Sequence, residues 1–155
     1  MDDTPAWLDP DEQRSWRAFI RLHQKLFAHL ANDLQAHSKL SGADFEVLVA
    51  LTDVPDGRVR FNDLAKEIEW EQSRLSHQIR RMLKRDLVAR EECAEDGRGA
   101  YVAITDQGRE VIEATAPHHV ATVRRLVVDA LSPEEFTELG RLAAKLDDHI
   151  ETGTR

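Results

Sequence analysis

Cysteine is nearly absent from this chain of 155 residues: Cys93 stands alone. One thiol can build neither an intramolecular disulfide framework nor a cysteine-rich zinc module. Long apolar runs are missing too. No stretch approaches the roughly 18 residues that a membrane span needs. The opening Met-Asp-Asp-Thr-Pro-Ala-Trp is acidic and polar, unlike a signal peptide, so a cytoplasmic protein with no membrane partner is expected. Glycine (7) and proline (5) are sparse, which points to long elements with few breaks. Basic residues are outnumbered, 21 against 29, for a net charge of −8. That excludes a surface uniformly coated in positive charge for nucleic acid. Also missing are a glycine-rich phosphate loop, a nucleophile elbow, and a cysteine beside a credible base. No enzyme activity, catalytic residue or cofactor is therefore expected.

What is present is a core and a concentrated charge. Hydrophobic residues make up 41% of the chain, enough for one compact domain with extensions. Residues 58–98 carry ten basic and nine acidic side chains, so the deficit lies elsewhere in the chain. Within 72–85 there are five basic residues (Arg74, Arg80, Arg81, Lys84 and Arg85) and no acidic one. A lone cationic segment in an acidic chain suggests a local polyanion contact; the plainer alternative is a solvated helix face.

Periodicity and caps order the elements. Asp9, Pro10 and Glu12 form a capping-box start for a helix over 10–37. Its apolar stripe holds Trp16, Phe19, Ile20, Leu26, Phe27, Leu30 and Leu34. Ser41 with Asp44 caps a second helix, 42–52, and Pro55-Asp56-Gly57 makes a turn. Asn62 is expected to cap a short helix over 63–68. Glu69-Trp70-Glu71 connects it to a fourth helix, about 72–86, with Leu75, Ile79, Met82 and Leu83 inward. Strands over 88–92 and 101–104 flank a glycine-rich hairpin tip at 94–99. Thr105 caps a helix to about 130 that Pro117 should kink, and Ser132-Pro133-Glu134-Glu135 opens the last helix.

Short helix, three-residue turn, longer basic helix, hairpin: this is the order of a winged helix-turn-helix. The fold class expected is mainly α with a small β-hairpin wing. A head over 42–105 sits between N- and C-terminal dimerisation helices, 10–37 and 106–150. The second helix of the pair can enter the major groove. That makes Ser73, Arg74, Ser76, His77, Arg80, Arg81, Lys84 and Arg85 the candidate DNA-binding residues. Arg98 on the hairpin tip can reach the minor groove, with Asp96 as a rigid support for the tip.

The stretch Asp96-Gly97-Arg98-Gly99-Ala100-Tyr101-Val102-Ala103-Ile104-Thr105 resembles the wing signature of the MarR family of bacterial transcriptional regulators. Gly108 fits the same pattern, and Ser73-Arg74-Leu75-Ser76-His77-Gln78-Ile79 looks like that family's recognition helix. Helix order extends the likeness over about 10–150. Asp86 departs from it, standing where many members have glycine; aspartate tolerates the left-handed conformation needed there. The resemblance implies a homodimer that binds a palindromic operator in double-stranded DNA, acts as a repressor, and is released by a small-molecule effector.

A dimer is also expected on physical grounds. One winged module buries little surface on DNA and binds weakly, and the apolar stripes over 16–34 and 136–150 need a partner. His23, His29, His37, His118 and His119 could make a zinc-responsive regulator. Adjacent His118 and His119, however, diverge by about 100° on a helix, so no metal ligand is assigned. Cys93, beside Glu91, Glu92 and Glu95, reads as structural. Trp16 is expected at the dimer interface and Trp70 between the two helices of the pair. The competing class is a winged-helix protein-interaction module without DNA binding, which would have no use for the five positives over 72–85.

Overall fold

The computed structural model describes residues 7–92 and 99–153. In chain order the elements are α1 (Pro10–Ser38), α2 (Gly42–Thr52), β1 (Arg58–Arg60), α3 (Phe61–Glu67), α4 (Gln72–Leu83), β2 (Val88–Glu92), β3 (Ala100–Ile104), α5 (Asp106–Leu126) and α6 (Pro133–Gly153). A single 3-10 turn, Val128–Ala130, precedes α6. The chain divides into two compact units at Pro117, within α5. No helix among the described residues is long and apolar enough to cross a membrane.

The local signals act as expected at most helix starts. Asp9 accepts from the backbone N–H of Asp11 and Glu12, and the Glu12 carboxylate accepts from the Asp9 N–H. Ser41 and Asp44 form the same reciprocal box at α2, and Ser132 and Glu135 form it at α6. Thr105 Oγ1 accepts from Gly108 N–H at 2.9 Å to start α5. Gly108 is required there by sterics, because a Cβ would lie 2.0 Å from the Leu87 carbonyl oxygen.

The unit up to Pro117 has a continuous core. Leu40, Val47, Leu48, Leu51, Leu64, Leu75, Met82, Val88, Val102 and Ile112 are all buried in one cluster. It joins α2, α3 and α4 to the inner face of the sheet. The sheet is antiparallel, ordered β1-β3-β2, with Val59 opposite Val102 and Arg90 opposite Val102 on the other side.

Several expectations are corrected. The hairpin is in fact two strands of a three-stranded sheet: Arg58–Arg60 adds β1, which a three-residue Arg-Val-Arg run is too short and polar to announce. Asn62 is not the cap of α3; the helix starts at Phe61, Arg60 holds the cap position without a side-chain bond, and Asn62 lies inside the first turn. The fourth helix ends at Leu83, with Lys84 as its C-cap, rather than near 86. It closes because the Leu87 N–H bonds back to the Met82 carbonyl and Asp86 takes the left-handed conformation, φ 54°. Leu83, expected inward, is exposed at that end. α5 likewise stops at Leu126, short of 130.

In the unit from His118 on, α6 has no buried residue. Phe136, Leu139, Leu142, Leu146 and Ile150 recur along it, all exposed. In the first unit, α1 shows a similar exposed stripe of Trp16, Phe19, Leu22 and Phe27; only Leu34, near its end, is buried.

Candidate nucleic-acid interface

α4 is sharply two-faced. Leu75, Gln78, Ile79 and Met82 are buried, while Ser73, Arg74, His77, Arg80, Arg81 and Lys84 are exposed and Ser76 is half-buried between them. The inward residues fall at i, i+3, i+4 and i+7, so helical geometry alone turns the cationic residues outward. No acidic side chain stands in the first turn.

Two interactions fix how α4 is held. The first is a buried polar cluster at the start of α2. The Asp44 carboxylate is only 1% exposed. Gln78 Nε2 donates to its Oδ1 at 2.6 Å, and Arg85 Nη1 donates to its Oδ2 at 2.7 Å. The Ser41 N–H donates to the same Oδ2 at 2.8 Å, and Arg85 Nη2 reaches the Lys39 carbonyl at 2.9 Å. Burial alone would raise the Asp44 pKa. The hydrogen bonds from the Ser41 backbone, Arg85 and the Ser41 hydroxyl, with the Arg85 charge, outweigh it and hold the carboxyl below its usual range. Asp44 is thus a charged anchor joining α2 to the middle and far end of α4.

The second interaction sits at the near end. Trp70, in the connector, is 8% exposed and belongs to the core cluster. The guanidinium of Arg74 lies over its ring, 3.8 Å from the centroid.

Arg80 Nε donates weakly, at 3.4 Å, to the Ser76 carbonyl. Arg85 lies in the turn after α4 with its donors directed to Asp44 and Lys39. Arg98, Asp96 and Cys93 lie outside the described residues. Among the histidines, His23 packs by its ring on Phe27 at 4.8 Å, His37 Nδ1 is 2.9 Å from the Asp33 carbonyl oxygen, and His29 is exposed. Of the adjacent pair, His118 is exposed and His119 half-buried.

Sequence reading missed the anchoring role of Asp44 and Gln78. The signal was available: Asp44 stands four and seven residues before Leu48 and Leu51, on the inward face of α2, where a carboxylate requires partners. It also missed Arg58 and Arg60, which flank the Tyr101 ring at 5.0 and 5.4 Å once β1 pairs with β3.

A three-helix head, an exposed cationic second helix and an antiparallel sheet define a winged helix-turn-helix protein. Comparison with known proteins makes the class specific. The family model for the MarR family matches residues 38–99. AbsC, a MarR family transcriptional regulator from Streptomyces coelicolor, is 40% identical, with 96% of this chain and 99% of AbsC aligned and a TM-score of 0.91. Sco3205, a MarR family regulator of the same organism solved in complex with DNA, is 38% identical over 95% of this chain and 92% of its own, with a TM-score of 0.90. The uncharacterized HTH-type transcriptional regulator YkoM of Bacillus subtilis is 24% identical over 134 residues, which is 86% of this chain and 84% of YkoM. The chain belongs to the MarR family of transcriptional regulators.

Proposed function

We propose that this protein is a cytoplasmic, non-enzymatic repressor that binds a palindromic DNA operator as a homodimer, with α4 in the major groove. The observation that carries the reading is the exposed face of α4, with Ser73, Arg74, His77, Arg80, Arg81 and Lys84 outward and no acidic neighbour on the helix. Arginine and histidine can donate to guanine acceptors, serine to bases or phosphates, and the later positives suit the phosphate backbone. That a relative 38% identical over nearly the whole chain was solved in complex with DNA supports a DNA-binding function.

Within the predicted set, the donation of Arg85 to Asp44 and to the Lys39 carbonyl supports a further role for it in holding α4 in place. Arg98 and Asp96 keep their proposed wing roles on the strength of the sequence signature alone.

The exposed apolar stripes of α1 and α6 each support a second copy as occupant. A two-fold dimer presents two recognition helices about one duplex turn apart. Because binding then depends on head spacing, an effector that prefers another spacing releases the DNA.

Selection from a randomised duplex library, followed by footprinting, tests the reading. The expected product is an inverted repeat whose half-site centres lie about 10 bp apart. Failure to enrich any sequence over the starting library would overturn it.

A further inference from the structure

The stack of Arg74 on Trp70 has a use that goes deeper than packing. The indole is held by the core. Trp70 is part of the buried core, and its backbone N–H is bonded to the Ala65 carbonyl at 2.8 Å across a turn in which Glu69 is left-handed, φ 53°. The Arg74 guanidinium lies over its ring. Arg74 is the third residue of α4, in the turn of a recognition helix that meets base edges.

Stacking engages the flat face of a guanidinium and leaves the in-plane N–H donors at its rim free. Among the described residues Arg74 makes no hydrogen bond or ion pair, so its donors stay open. Two of the arginines nearby differ. Arg85 spends its donors on Asp44 and Lys39, and Arg80 donates to Ser76. An unstacked arginine must lose most of its rotamer freedom when it engages a base. One already held on a rigid ring has lost that freedom before DNA arrives.

We infer that Trp70 is a specificity-positioning residue: it presents the Arg74 guanidinium edge-on to the O6 and N7 acceptors of one guanine in each half-site. The inference rests on the DNA-reading function proposed above. Trp70 touches no base itself; it acts through Arg74.

The experiment uses the full-length protein, the duplex it selects from a random library, and every single-base-pair variant of that duplex. Arg74→Ala should erase the preference for one G·C pair, about a tenfold loss of discrimination at that pair. Trp70→Leu should reduce the same preference about three- to tenfold, leaving the other positions and the salt dependence unchanged. Trp70→Phe, which keeps a ring, should retain most of it. A Trp70→Leu loss spread evenly over all positions, as a packing defect would give, overturns the inference, and so does full retention of the preference.

Should Trp70→Leu fail to fold, a cycle of Trp70→Phe with Arg74→Lys replaces it. Non-additive loss at the one pair supports the coupling, and strict additivity overturns it. In the free protein with Trp7→Phe and Trp16→Phe, Arg74→Ala should change the emission of the remaining Trp70; unchanged emission overturns the stack. If selection enriches no duplex, the DNA-reading function falls and takes this inference with it. If a duplex is enriched but Trp70 variants read it as wild type does, only the inference falls.

Discussion

The helix-turn-helix head and the last helix have similar apolar patterns and opposite fates. In the head, Leu48, Leu51, Leu64, Leu75 and Met82 are fully buried. On α6 the stripe from Phe136 to Ile150 is as regular, yet Ile150 is 66% exposed and no residue of the helix is buried. The head therefore completes its core within one chain, and α6 does not. An apolar stripe of this length at helical spacing is a surface for another polypeptide. The first half of α1, with Trp16 and Phe19 stacked in the open at 5.9 Å, follows the pattern of α6. One region folds for itself and positions the cationic helix; the other leaves its apolar stripes exposed, as the proposed homodimer requires.

The largest expected effect breaks the second region while sparing the first. Phe19→Glu combined with Leu142→Glu should convert a dimer to a monomer in sedimentation. Operator affinity should fall about a hundredfold or more, because linked heads gain that much from effective concentration. The circular dichroism of the head should persist. Retention of the dimer would show that these stripes are not the interface.

The converse change attacks the closed core. Leu64→Ala removes a fully buried side chain, and a melt should show about 2–5 kcal/mol of lost stability. An equivalent truncation on exposed α6, Leu146→Ala, should cost far less when the protein is diluted to monomer.

The polar anchor lies between these in size. Asp44→Ala leaves Gln78 and Arg85 without their shared acceptor, and about 2–4 kcal/mol should be lost. Its pH dependence has a definite sign. The folded-state pKa of Asp44 lies below its ordinary value of 3.8. Its contribution is therefore complete above the unfolded pKa and is lost as pH falls through the lower folded one. The stability gap between wild type and Asp44→Asn should be constant near neutrality and close in acid. A gap that widens in acid would contradict the depressed pKa.

The smallest effect concerns how α6 begins. Ser132→Ala removes the acceptor for the Glu135 N–H and should lower stability by about 1 kcal/mol.

Much of this was readable in the sequence because local chemistry decides it. Asp9, Ser41, Thr105 and Ser132 cap helices with atoms only two or three residues away. The outward face of α4 follows from the spacing of Leu75, Ile79 and Met82. What stayed hidden depends on contacts between distant residues. Arg85 reads as one more positive in a basic run until the fold brings it to Asp44, 41 positions earlier. β1 exists only because β3 lies beside it, pairing Arg60 with Tyr101. Trp70 and Arg74 are a local pair, four apart. Their stacking still needed the core to fix the indole, which periodicity alone could not supply.

In the proposed complex the exposed cations of α4 lie against duplex DNA. A salt titration of binding to the selected duplex is the decisive measurement. Wild type should give a steep linear fall of log affinity with log salt. Arg80→Ala and Arg81→Ala should each flatten it by about one unit for every phosphate left without its cation. Binding whose salt slope is the same with and without those two arginines would contradict the account.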